Sequence, residues 1–114
     1  MAARQVHVLW CGCNGVPSSV YRPLLARLQQ PQRLSLSGGA ISVASTSFAS
    51  PHLHFSGDGA GWGAALSHVA DAAERARDVS GLPVVGIGHS LGGALIYGAA
   101  GRTASAQSIL CCAI

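Results

Sequence analysis

The 114-residue chain contains no lysine. That excludes a phosphate-binding loop of the Gly-Lys-Ser/Thr type, whose lysine must reach the β- and γ-phosphates of a nucleotide. The seven basic residues are all arginines, scattered from Arg4 to Arg102, and they outnumber the four acids by a net +3 without forming a patch that tracks phosphates. Nucleic acid is not an expected partner. Charged side chains are scarce at 10%, against 49% hydrophobic and a mean hydropathy of +0.39, which excludes a disordered chain. The length excludes two domains, because one hydrophobic core is usually built from about 100 to 150 residues. Aromatics are few, whereas glycine, at 15 residues, is plentiful and points to tight turns and close backbone approach.

The amino-terminal segment has one early charge, an apolar run broken by His7, and no small-x-small cleavage site, so it does not read as a secretory signal. Cys11, Cys13, Cys111 and Cys112 match neither the C-x-x-C spacing of zinc and redox sites nor a disulfide framework. They read as reduced, buried, apolar residues, which favours the cytoplasm or another reducing compartment. No metal and no cofactor are expected. Residues 79–101 carry no charge and contain Gly88-His-Ser-Leu-Gly92, a G-x-x-x-G spacing that a spanning helix could use. Pro83, five glycines and a central His-Ser pair make poor helix material in lipid, so no membrane span is expected.

Hydrophobic periodicity divides the chain into alternating strands and helices. Residues 5–11 form a β-rich run ending at Gly12. Ser18 and Ser19 can cap a helix whose apolar positions Tyr21, Leu24, Leu25 and Leu28 follow the i, i+3, i+4, i+7 rule, with Pro23 in its first turn and Pro31 as its stop. A Ser/Gly link leads to a strand over residues 40–46, and residues 47–61 have loop chemistry. Trp62, Leu66, Val69, Ala73 and Ala76 mark a second helix closed by Gly81. Strand 84–88, helix 91–100 and strand 107–113 complete the order β-α-β-α-β-α-β. Apolar strands in that order predict an α/β fold: a four-stranded parallel sheet with three right-handed crossover helices, forming a single domain over residues 1–114.

The chemistry-bearing motif is Gly88-His89-Ser90-Leu91-Gly92, a G-x-S-x-G set between a strand and a helix. A nucleophile elbow needs a sharp turn there, with glycine-sized residues two before and two after the serine so that strand and helix do not collide. Ser90 is then the candidate nucleophile, and the Leu91 N–H, at a helix N-terminus, points where an oxyanion would form. A dinucleotide fingerprint fails, since Leu91 stands where its third glycine belongs and no acid follows Asp78 to hold a ribose. A purely structural glycine-rich turn is the plainer alternative. His89 reads as packed beside the strand rather than catalytic, His7 and His68 as structural, and Tyr21 and Trp62 as core or crevice wall.

The chain here resembles the α/β-hydrolase superfamily, over its third to sixth strands. Residues 12–23, Gly-Cys-Asn-Gly-Val-Pro-Ser-Ser-Val-Tyr-Arg-Pro, are similar to that family's oxyanion segment His-Ala-Asn-Gly-Phe-Pro followed by Tyr-x-Pro, with Gly12 in place of the histidine. Asp58-Gly-Ala-Gly-Trp62 resembles the Asp-Gly-Trp that enters the next helix. The resemblance implies a serine hydrolase acting on a small-molecule carboxylic ester, with Val16 as the second backbone oxyanion donor. It also implies that strand 40–46 lies outermost, followed by strands 5–11, 84–88 and 107–113, with a crevice at the reversal beside Ser90. Cys11 and Cys111 would then be about 10 Å apart at roughly 4.8 Å per strand, beyond disulfide reach. In that family the triad acid and histidine follow the serine, and here neither does, so the domain reads as truncated, with an exposed edge strand open to self-association. A rebuilt Ser90, His54, Asp58 set is weighed against solvated loop residues. The alternative function is a catalytically inactive fragment that binds a ligand or partner through the same crevice.

Overall fold

The computed structural model describes residues 4–12, 16–30, 35–36, 39–49, 60–102 and 109–113. Strand β1 (Arg4–Cys11) is buried on both faces from Val6 onward, as its run of valine, leucine and tryptophan requires. A 3-10 turn (Ser18–Val20) leads into helix α1 (Arg22–Gln29), where Pro23 occupies the first turn and loses no hydrogen bond. Strands β2 (Ser35–Leu36) and β3 (Gly39–Ala49) follow, then helix α2 (Ala60–Ser80). Gly81 ends α2 at φ +67°, the left-handed conformation that stops a helix and that glycine alone adopts without strain. Strand β4 (Val84–His89), helix α3 (Leu91–Ala100) and strand β5 (Ile109–Ala113) complete the chain.

The sheet has the order β2-β3-β1-β4-β5. Pairs β1/β3, β1/β4 and β4/β5 are parallel, and β2 lies antiparallel on the start of β3 through Ser35 and Leu36. The α/β class expected from the sequence is therefore the observed one. The expected count of four strands is corrected to five, because the Ser/Gly link holds the two-residue β2, too short for any periodicity to register. Strand β3 also runs to Ala49 rather than Thr46, since Phe48 and Ala49 still pack inward.

Helices cover both faces. Val8 and Trp10 pack with Leu25 of α1 on one side, while Leu9 and Cys11 pack with Leu66, Val69, Leu95 and Ile96 of α2 and α3 on the other. Each such side chain contributes about 1.5–3 kcal/mol when fully buried. Trp62 does not join this core: it is 38% exposed, one turn ahead of the buried stripe that begins at Ala65 and Leu66. Among the described residues no helix is long and apolar enough to cross a membrane. Residues 84–89 are sheet and only 91–100 are helix, which removes the spanning reading of residues 79–101.

Strand β3 carries one irregularity. Val6 pairs with Val43, but His7 pairs with Ser45, so Ala44 is an extra residue in β3. A one-residue insertion switches every following side chain to the other face. It puts Ser45, Ser47 and Ala49 beside His7, Leu9 and Cys11 on the α2 side, and Phe48 with Trp10 on the α1 side.

Candidate functional site

The turn between β4 and α3 is a single residue. Ser90 holds φ +56° and ψ −121°, and among the described residues no other non-glycine has a positive φ. Such a conformation costs on the order of 1–3 kcal/mol and persists only where the surroundings impose it. The surroundings are backbone. A Cβ on Gly88 would collide with the Cα and N of Gly93, and one on Gly92 would collide with the Cys11 carbonyl oxygen and lie 2.5 Å from that of Gly12. The first turn of α3 therefore rests directly on the ends of β1 and β4, an approach only glycine permits.

Within this turn the Gly93 N–H donates to the Ser90 carbonyl at 3.0 Å, while Leu91, half-buried, is the first helical residue. Ser90 itself is exposed. The Leu91 N–H belongs to the first turn of α3, where backbone donors lack helical partners and the helix dipole favours negative charge. Val16 is half-buried just ahead of the 3-10 turn, four residues beyond Gly12. Residues 13–15, including Cys13 and Asn14, lie outside the described residues, as do His52, His54 and Asp58. The rebuilt Ser90, His54, Asp58 set is therefore not placed.

His89 joins a short aromatic stack. Its Nδ1 lies 3.2 Å from the Tyr21 hydroxyl, with ring centroids 6.0 Å apart in an edge-on arrangement. Tyr21 in turn packs on Trp10 at 5.0 Å. The same phenol ring covers Gly12, where a Cβ would sit 2.5 Å from Tyr21 Cε2. That contact gives a physical reason for glycine at position 12: a larger side chain would displace the ring that holds His89. Trp10 is buried, and its indole Nε1 has no hydrogen-bond partner among the described residues.

Of the other histidines, His68 is exposed on α2. His7 is buried at 6% exposure, with Nδ1 2.6 Å from Ser45 Oγ and Nε2 2.7 Å from Ser47 Oγ. Burial holds its pKa below the ordinary 6.5. The His7 contacts with serine were not legible in the alternation, because they depend on the Ala44 insertion. Cys11 is a free, fully buried thiol, and burial pushes its pKa up to about 11. A thiol held protonated at neutral pH is a poor nucleophile. Among the described residues no three His, Cys, Asp or Glu side chains gather as metal ligands.

No family model matches the chain, and no curated protein or solved structure matches it either.

Proposed function

We propose that this chain is a serine hydrolase of the carboxylic-ester type, with an α/β-hydrolase sheet and Ser90 as its nucleophile. The observation that carries the reading is the backbone of Ser90: a positive φ in a one-residue strand-to-helix turn, forced by two glycines that have no room for a Cβ. A structural turn has no need to strain a serine and leave it exposed. The parallel order β3-β1-β4-β5 and the seating of α3 on the end of β1 support the same reading.

In this mechanism Ser90 Oγ attacks the carbonyl carbon of a small-molecule ester. The carbonyl π electrons move onto oxygen, and the Leu91 N–H, joined by that of Val16, stabilises the resulting oxyanion. The Ser90 proton passes through water to the leaving alkoxide oxygen, so collapse expels the alcohol and leaves an acyl group on Ser90. Water then cleaves that ester to the carboxylic acid and returns a proton to Ser90 Oγ. One oxyanion donor is typically worth about 10² to 10³ in rate. His89 supports the elbow through its Nδ1 contact with Tyr21, and both His7 nitrogens are engaged by serines, so neither is assigned as a base for Ser90. The buried, reduced Cys11 is in keeping with a reducing compartment.

Mixing the protein with p-nitrophenyl acetate tests this. A burst of one p-nitrophenolate per chain, absent in Ser90→Ala, is expected from acyl-enzyme formation. A folded protein that releases no burst, or a Ser90→Ala variant that keeps it, would favour the non-catalytic reading in which the crevice only binds.

A further inference from the structure

A second site lies away from the elbow, on the α2 side of the sheet. A cavity of about 480 Å³ opens between β3 and the carboxyl-terminal half of α2, within the size range of small-molecule pockets. The bonded group of His7, Ser45 and Ser47 lines it together with two further hydroxyl side chains, Ala76 and Val79 form part of its apolar wall, and Arg75 is a charged edge. The polar group is built rather than incidental. His7 is 94% buried by its 6% exposure, both ring nitrogens are hydrogen-bonded at 2.6 and 2.7 Å, and the Ala44 insertion is what brings both serines to it. Bulges recur where a strand must re-aim side chains toward a site.

The hydrogen-bond inventory sets the ligand. A neutral imidazole has one N–H and one lone pair, so one serine must accept from His7 and the other must donate to it. The accepting serine keeps its own O–H to donate outward, while the donating serine presents only lone pairs. The pair thus shows one donor and one acceptor side by side, whichever tautomer is present. We propose that this cavity binds a small neutral molecule with an adjacent donor and acceptor, a primary carboxamide, on a short apolar chain that packs against Ala76 and Val79. A carboxylate, which only accepts, would set its charge against the lone pairs of one serine, and Arg75, exposed at the rim, returns only a weak attraction through water. A tertiary amide would leave that serine unpartnered, at a typical loss of about 10-fold.

Titrating hexanamide, hexanoate and N,N-dimethylhexanamide into the protein, followed by backbone amide NMR shifts, tests the proposal. Saturable shifts around His7, Ser45 and Ala76 are expected, with hexanamide at least 5-fold tighter than either analogue. Ser45→Ala and Ser47→Ala should each weaken it about 10-fold. Val79→Trp, at a position 83% exposed, should block the cavity without disturbing the core. Binding should survive in Ser90→Ala, which separates this site from the elbow. No saturation, equal affinity for the three compounds, or full binding by Val79→Trp would overturn it.

Discussion

At Ser90 and His7 the chain places polar side chains in settings that cost free energy, and each cost has an identifiable local cause. For Ser90 the cause is backbone crowding by Gly88 and Gly92, and the strain falls on an exposed residue. For His7 the cause is burial, which lowers its pKa and keeps the ring neutral between two hydroxyls. The sign of the resulting pH dependence follows. Above the ordinary value of 6.5 His7 is neutral folded or unfolded, and it contributes no slope. Below 6.5 the unfolded chain binds a proton that the folded chain refuses, so stability falls until the lowered folded-state pKa is passed. Urea unfolding between pH 7 and 5 is therefore expected to show a loss that His7→Gln flattens. An unchanged slope in His7→Gln would show that the ring is not held neutral.

Among the elements, α3 owes its position to glycine. Gly92→Ala puts a methyl group on the Cys11 carbonyl oxygen, and Gly88→Ala puts one on the backbone of Gly93, and neither obstacle is a flexible side-chain tip. Each is expected to lower stability by about 2–3 kcal/mol, the upper part of the usual range for overpacking, read as a fall in urea midpoint. Gly63, inside α2, is the internal control, because its Cβ would meet nothing within 4 Å. Gly63→Ala should raise stability by about 0.4–1 kcal/mol. Elements with strong local signals were legible in the sequence. Helix 91–100 matches α3 at both ends, and Gly81 and Pro83 stand just ahead of β4. Strand β2 was not legible, since two residues carry no period, and the extra residue at Ala44 was not, because alternation read through Ser, Ala, Ser and Thr has too little contrast to reveal a switch of face. The Ser90 elbow was legible because its requirement is steric and glycine states it directly. The bond from His89 to Tyr21 was not, since it joins residues 68 positions apart.

Across the whole molecule the two sites occupy different parts of one sheet. The elbow stands at the carboxyl end of β4, beside the end of β1, where the order of the parallel strands reverses. In open α/β sheets that is where ligands bind. The His7 cavity lies between β3 and α2, with His7, Ser45 and Ser47 on the face opposite the one that α1 covers with Leu25. The central claim concerns only the first: that the strained serine is an activated, accessible nucleophile. The most direct measurement is treatment of the folded protein with a fluorophosphonate, then mass mapping of its peptides. One adduct per chain on Ser90, absent from Ser90→Ala, is the expected result. Folded protein that takes up no adduct, or carries it on Ser45, Ser47 or another residue instead, would contradict the account.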